Sequence, residues 1–150
     1  MGKTNVSYIR DGLNEYFSRL THYCKLNWVE LPDVKSGSKM TPKALMEHEG
    51  ELFLKHIDKR ARVVILDETG QQFTSRQFAE FIEKHMIYET RPMYLLIGGA
   101  YGVSSTLRKR AEVFISLSKL TFNHQLVRLI LAEQLYRAFT IVKGEPYHHD

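Results

Sequence analysis

The sequence predicts an α/β domain in which helices flank a mainly parallel sheet. Segments with helical periodicity alternate with strand-like segments, and the chain contains no internal repeat. Three strand-like runs are almost entirely apolar, as parallel strands buried on both faces are: Val63–Leu66, Met93–Ile97 and Val113–Leu117. A chain of 150 residues, 43% of them hydrophobic, can bury one core, so we predict a single domain over residues 1–150.

The first third of the chain predicts two helices separated by a short strand and a loop. Apolar residues recur at three- and four-residue steps from Val6 to Tyr23, which indicates an amphipathic helix. The alternating residues Leu26–Leu31 favour a short strand, because a proline follows them directly. The polar segment 33–41 predicts a mobile surface loop. A helix from Pro42 to about Asp58 follows, since proline is favoured at the first helical position and the threonine before it can cap the helix.

Three more helices are predicted after the first apolar strand. Thr74 and Ser75 can cap one helix, and Ser104 can cap a short basic helix that ends near Ala111. The last helix is expected to start near Asn123. Its apolar arc is wider than one core face requires, because consecutive residues such as Leu129, Ile130 and Leu131 point about 100° apart. We therefore expect part of this helix to face a second subunit.

The charge balance and the cysteine count indicate which classes of partner and which cellular compartment to expect. Lys and Arg number 21 against 17 Asp and Glu, and most of the basic excess lies in residues 104–150. Such a bias permits a polyanionic partner such as RNA without establishing one. Cys24 is the one cysteine, so no internal disulfide can form, and a reducing cytoplasm is the expected location. We expect no membrane association, because the longest uncharged run, residues 92–107, is too short and too rich in glycine and serine to span a bilayer.

The glycine-rich segment Gly98–Gly102 has two interpretations. It follows an apolar strand and precedes a capped helix, where glycines let the backbone approach a ligand and expose N–H groups. A tight strand-to-helix turn would need the same glycines for its dihedral angles alone. The dinucleotide-binding spacing is absent, and Gly2-Lys3-Thr4 resembles the end of a phosphate-binding loop only by chance.

The histidines at 22, 48, 56 and 85 show no metal-binding spacing and are expected at the surface, so no metal site is predicted.

Four further blocks carry a specific resemblance when they are taken together. They are the hydroxyl-rich segment Ser116–Arg128, the glycine segment Ile97–Gly102, the segment Glu133–Phe139 and the ending Pro146–His149. This array closely resembles the 23S rRNA (pseudouridine-1915-N3)-methyltransferase family of the SPOUT superfamily. The likeness covers almost the whole chain and includes Glu15 to Leu20, Leu31 to Asp33 and Glu47 to Gly50.

The sequence departs from the family pattern in three places. Ala100 and Asn123 stand where the family has proline, although asparagine is a competent helix N-cap. The family also opens with an apolar strand that leads into a Gly-Lys pair, and this strand is expected to be absent because Gly2-Lys3 follows Met1 directly.

The resemblance implies an S-adenosyl-L-methionine-dependent enzyme that methylates N3 of a pseudouridine in 23S rRNA on the ribosome. It implies a homodimer and a carboxyl-terminal trefoil knot that binds the cofactor. Carried over residue by residue, the cofactor contacts would be Leu66, Gly98, Leu117, Ser118, Lys119, Leu120, Thr121 and Phe122.

The carboxyl-terminal tail supplies the predicted catalytic residues, Tyr147 and His148. Tyrosine can stack on an unstacked RNA base, and histidine titrates near neutral pH, which suits proton transfer. Lys119, Arg128 and Arg137 are expected to meet RNA phosphate or the partner subunit, with the alternative that Arg137 only pairs with Glu133 one turn earlier.

Two other functional classes compete with this assignment. A non-catalytic RNA-binding module would explain the basic carboxyl-terminal part, but not the glycine turn and the hydroxyl-rich loop together. An α/β nucleotide-binding protein of another kind would require a phosphate-binding loop or a dinucleotide fingerprint, and the sequence has neither.

Overall fold

The computed structural model of the protein describes residues 1–34 and 40–149. The middle of the predicted mobile loop, residues 35–39, and the last residue, Asp150, lie outside this range. The elements follow in the order α1 (Ser7–Leu20), α2 (Pro42–His56), β1 (Arg62–Gln72), α3 (Ser75–Tyr88), β2 (Met93–Ile97), α4 (Ser105–Arg110), β3 (Val113–Ser116) and α5 (Leu126–Lys143). No helix of the described residues is long and apolar enough to cross a membrane.

The chain divides into two compact units. The first comprises residues 1–3, 29–71 and 91–119, and the second comprises residues 4–28, 72–90 and 120–150. The prediction of one domain over residues 1–150 stays a prediction.

The first unit contains the sheet and the helices α2 and α4. The three strands lie in the order β2-β1-β3, and β1 pairs with β2 in parallel from Arg62–Met93 to Leu66–Ile97. One face of the sheet forms a core with both helices, to which Phe53 of α2 and Leu107 of α4 contribute. The predicted α/β class with a parallel sheet flanked by helices is thereby confirmed.

Strand β1 is longer than its apolar run predicts. The apolar run predicts a strand over Val63–Leu66, yet the strand extends from Arg62 to Gln72. Gly70 permits this course, since a Cβ at this position would lie 2.6 Å from the backbone nitrogen of Ile115 in β3. The extension therefore brings β1 close to the backbone of β3, a contact that the hydrophobic pattern does not report.

The predicted strand Leu26–Leu31 is wrong. Burial alternates only over residues 26–29, and Leu31 is buried out of phase with Trp28. Trp28 packs against Phe17 in the second unit, while Leu31 belongs to the core of the first. The segment is not assigned to any sheet of the described residues. Alternation reports which side chains are buried, whereas a strand also needs a neighbouring backbone to pair with.

The second unit consists of three helices, in which α5 packs against both α1 and α3. The core with α1 includes Ile9, Leu13 and Ala132, and Leu129 packs against it. Leu131 is also buried, with 2% of its surface exposed. Because α1 and α3 both contact α5, the wide apolar arc of this helix is no longer an argument for a second subunit.

The predicted helix starts are confirmed at α3 and α4 but not at α5. Thr74 and Gln77 form a reciprocal capping box, and the Ser104 side chain accepts from the Leu107 N–H. Helix α5 begins at Leu126 rather than near Asn123. The Asn123 side chain instead accepts from the backbone N–H of Gln125 at 2.8 Å, which makes a turn before the helix.

Candidate active site

The ends of neighbouring strands bring several predicted cofactor residues to one edge of the sheet. The parallel register of β1 and β2 ends at the pair Leu66–Ile97, and Gly98 is the next residue of the chain. β3 lies on the other side of β1 and ends at Ser116, so that Leu117 begins the following loop. Parallel sheets bind their ligands at this edge, beyond the carboxyl ends of the strands.

The glycine segment forms a tight turn. The Gly102 N–H donates to the Gly99 carbonyl at 3.1 Å, and Gly102 has a positive φ of 89°. A Cβ on Gly98 would lie 2.8 Å from a methyl group of Val103 and 2.9 Å from the Gly102 carbonyl oxygen. The turn alone therefore requires glycine at position 98, so this glycine does not by itself indicate a ligand.

A buried carboxylate lies directly against this turn. Glu49 of α2 is only 8% exposed, and a Cβ on Gly99 would lie 2.3 Å from its carboxylate oxygen. Burial raises the pKa of Glu49. We predicted no role for this residue from the sequence, although a glutamate directly before a glycine on the core face of a helix was a signal for it.

An ion pair fixes β1 just beyond Leu66. The Asp67 carboxylate pairs with the Arg108 guanidinium of α4 and accepts from the backbone and side chain of Thr69 at 3.0 and 2.6 Å. Burial alone would raise the pKa of Asp67, but the Thr69 hydrogen bonds and Arg108 outweigh it and hold this pKa below its ordinary value.

The hydroxyl-rich segment changes from buried to exposed along its length. The Ser116 hydroxyl donates to the Ser118 carbonyl at 2.8 Å, which shapes the end of β3. Leu117 is half-buried, whereas Leu120 has 75% of its surface exposed. Of the predicted cofactor residues, Leu66, Gly98 and residues 117–119 belong to the first unit, and residues 120–122 belong to the second.

The predicted catalytic tyrosine is held inside a polar cluster of the second unit. The Tyr147 hydroxyl donates to the Glu133 carboxylate at 3.2 Å and lies 3.4 Å from the Tyr16 hydroxyl. The Arg137 guanidinium pairs with the same carboxylate at 2.5 Å and lies 4.8 Å from the centre of the Tyr147 ring. The end of the chain up to these residues is therefore packed against α1 and α5.

This environment keeps the tyrosine protonated. Burial raises the pKa of Tyr147, and its contacts with Tyr16 and Glu133 raise it further. At neutral pH the phenol is therefore a hydrogen-bond donor and not a base. Its fixed hydroxyl and its ring are the features that it can offer to a ligand.

The predicted catalytic histidine contacts the same arginine. His148 Nδ1 lies 3.3 Å from Arg137 Nη1. Arginine can only donate, so Nδ1 accepts in this contact and the proton of the neutral ring is assigned to Nε2. In this arrangement His148 presents a donor through Nε2.

The three predicted phosphate-binding cations differ in their surroundings. Arg128 is only 3% exposed and donates to the Thr4 hydroxyl at 2.8 Å, so its predicted role in contacting RNA or a partner is wrong. Arg137 forms its pair with Glu133, as the alternative interpretation stated. Lys119 is exposed.

The remaining histidines are mostly surface residues. His22, His48 and His56 are exposed as predicted, and His85 is half-buried. The Nδ1 atoms of His48 and His56 lie 2.8 Å from backbone carbonyls one turn earlier. Within the described part of the chain, no group of three or more His, Cys, Asp and Glu residues is arranged to hold a metal ion.

Comparison with known proteins connects this geometry to one family. Residues 1–148 match the sequence model of the family described as "Predicted SPOUT methyltransferase". Similar curated proteins include "Ribosomal RNA large subunit methyltransferase H" of Parabacteroides distasonis, which is 44% identical over 100% of this chain and 96% of its own length. The proteins of the same name from Geotalea daltonii and Christiangramia forsetii are each 45% identical over 99% of this chain and 95% of their own length.

The match extends through every element of the fold and through the glycine turn, the hydroxyl-rich segment and the tail up to His148. The α/β fold with its parallel sheet agrees with this relationship. The chain therefore belongs to the SPOUT methyltransferase family.

Proposed function

We propose that this protein is an S-adenosyl-L-methionine-dependent methyltransferase that methylates N3 of a pseudouridine in 23S rRNA and acts on the ribosome. The observation that carries the proposal is the similarity, over almost the full length of both chains, to proteins named for methylation of large-subunit ribosomal RNA. The folded tail supports it, because Tyr147 and His148 are held in a defined arrangement at the end of the matched region.

We assign the cofactor to the loops that follow the strand ends, within the family's carboxyl-terminal trefoil knot. Leu66, Gly98 and residues 117–122 would hold it. The residues fit such a ligand, since Leu120 is an apolar side chain with 75% of its surface exposed, which an adenine ring could cover, and a Cβ on Gly102 would meet no atom within 4 Å. When bound, the cofactor supplies a methyl group already activated by its sulfonium charge.

The catalytic work of the chain is then to orient the acceptor base and to favour transfer of its N3 proton to solvent water. Loss of that proton leaves negative charge shared with the two carbonyl oxygens beside N3. The protonated Nε2 of His148 can donate to such an oxygen, and the Tyr147 ring can contact the base. Glu133 and Arg137 act as positioning residues, because they hold the tyrosine and the histidine.

We further propose that the protein is a cytoplasmic homodimer, as the family resemblance implies. Reducing conditions suit its single cysteine, which is half-buried. Large-subunit rRNA within the ribosome is the proposed macromolecular substrate.

Calorimetry tests the cofactor assignment. S-adenosyl-L-methionine should bind, whereas ATP and NAD should not. Leu120→Ala should weaken the binding about tenfold, because about two buried CH₂ groups are lost. Val29→Ala is the matched control, since Val29 is also a large exposed apolar residue, at 57%, and should leave the affinity unchanged. Equal affinities of both variants and the intact protein would remove Leu120 from the cofactor site.

Truncation tests the acceptor assignment. Removing residues 147–150 should leave cofactor affinity nearly intact, because the tail is not among the cofactor loops, while methyl transfer to unmodified ribosomes collapses at saturating cofactor. His148→Ala should lower the rate in the same direction. A truncated protein that works within about threefold of the intact rate, well below the usual contribution of a donor to developing negative charge, would make the tail a bystander. Ribosome binding without any methyl transfer by the intact protein would favour the non-catalytic RNA-binding module.

A further inference from the structure

Of the three cations that the sequence assigns to RNA, only Lys119 is exposed, because Arg128 is buried and Arg137 is ion-paired, so further basic residues are needed to bind a polyanion. We propose that Lys59, Arg60, Lys109 and Arg110 form a basic surface in the first unit that binds the phosphate backbone of the RNA substrate. This inference rests on the proposed function, and it adds a binding surface at the sheet edge opposite the cofactor loops.

A single arginine builds this surface. Arg110, the last residue of α4, donates through Nη2 to the backbone carbonyls of Asp58, Lys59 and Ala61 at 3.2, 3.1 and 2.6 Å. The Asp58 carboxylate accepts from the backbone N–H of Arg60 at 2.7 Å, which shapes the turn between α2 and β1. These contacts hold the turn against the end of α4.

The four basic side chains outnumber the one carboxylate among them, that of Asp58, and other nearby carboxylates are paired with arginines. Arg108 pairs with Asp67, and Arg91 binds Glu112 through two hydrogen bonds at 3.1 and 3.3 Å. Lys59, Arg60 and Lys109 are exposed, and none of them forms an ion pair with another described residue. Exposed cations without carboxylate partners are the groups that exchange counterions for phosphates.

Compensation of helix dipoles explains only part of this arrangement. Basic side chains in the last turn of α4, such as Lys109, offset the negative helix end. Lys59 and Arg60 lie in the turn after α2 and not in the last turn of a helix, so compensation of a helix dipole does not explain their charges. Binding of a polyanionic substrate would account both for Lys59 with Arg60 and for Lys109 with Arg110.

The position of the surface indicates what it contributes. The turn precedes β1 and α4 precedes β3, so the surface lies at the amino-terminal edge of the sheet. A paired segment of five residues separates it from Leu66, a distance of roughly 16 Å at about 3.3 Å per residue. Phosphates bound there cannot touch the reacting base, so they contribute affinity and orientation rather than chemistry.

Steady-state kinetics on unmodified ribosomes test the proposal with the full-length protein. The double variant Arg60→Glu with Lys109→Glu should raise KM for ribosomes at least tenfold while kcat and cofactor affinity change less than twofold. The slope of log affinity against log salt should fall by about 2. Lys25→Glu with Lys84→Glu is the control, because it makes the same change in net charge at exposed lysines of the second unit and should leave KM within twofold.

Three outcomes would overturn the proposal. A KM within twofold of the intact protein would show that the surface does not bind the substrate. An equal rise of KM in the control variant would show that the effect comes from net charge alone. Weaker binding to intact ribosomes together with unchanged binding to protein-free 23S rRNA would assign the surface to a ribosomal protein. If the intact protein transfers no methyl group, the proposed function fails, and the same variants in a ribosome co-sedimentation assay still decide whether the surface binds RNA.

Discussion

Residues of one chemical type serve different purposes in this protein because their surroundings differ. Arg128 is enclosed and holds Thr4, Arg137 orients the tail, and Arg110 clamps a turn through backbone carbonyls. Charge counted along the sequence treats these guanidinium groups as equivalent. Only burial and partners show which of them remain available to a ligand.

We expect Arg128→Ala to destabilise the protein. The change removes a buried hydrogen-bonded side chain and leaves a cavity, so the free energy of unfolding should fall by about 2–4 kcal/mol in urea titrations. Lys119→Ala, at an exposed site, should stay within about 0.5 kcal/mol. Unchanged stability of the Arg128 variant together with weaker ribosome binding would restore the RNA-contact role.

The pair of Asp67 with Arg108 should be visible in acid. Because the pKa of Asp67 is lowered in the folded protein, the stability it contributes is fully present above its ordinary value near 3.8 and is lost as the pH falls through the folded value. Denaturation measured from pH 6 down to pH 2 should therefore show a shallower loss of stability for Asp67→Asn than for the intact protein. If the free energy of unfolding fell equally in both proteins as the pH is lowered, the assigned direction of the Asp67 pKa shift would be contradicted.

At the level of elements, the sequence predicts whatever depends on local signals. β2 matches its predicted bounds, and α3 and α4 begin where their caps are. The errors occur where a distant backbone decides the outcome, as in the extension of β1 and in segment 26–31, which joins no sheet of the described residues. The candidate site shows the same division. The motifs predict the tail and the loops as site segments, whereas the contacts of Glu49 with Gly99 and of Tyr147 with Tyr16 depend on folding.

Gly70 tests whether the approach of β1 to β3 matters for stability. In Gly70→Ala the new methyl group would meet the backbone of residues 114–115 at 2.6 Å, and backbone cannot turn aside as a side chain can. We expect a loss of about 1–3 kcal/mol and a fall of several degrees in Tm. Gln71→Ala, the next and exposed position of the same strand, is the control and should change Tm little. A Gly70 variant as stable as this control would mean that β1 can bend without cost.

At the scale of the whole molecule, the dimer interface predicted on α5 would have to use the apolar residues that the chain itself leaves accessible, such as Leu126 at 37%. Leu131, Leu135 and Phe139 are already buried within the chain. Sedimentation at micromolar concentration should still give twice the chain mass of 17.5 kDa, as the family resemblance implies. A protein that stays monomeric under these conditions would remove the homodimer from the proposed function.

Helix α4 connects the proposed basic surface with the proposed cofactor loops. Its cap residue Ser104 lies just after the glycine turn, and Arg110, at the other end, holds the turn of residues 58–61. Six residues span about 9 Å along a helix axis. If phosphate binding at one end of α4 changes the affinity for the cofactor at the other, we expect the cofactor to change the affinity for RNA by the same factor.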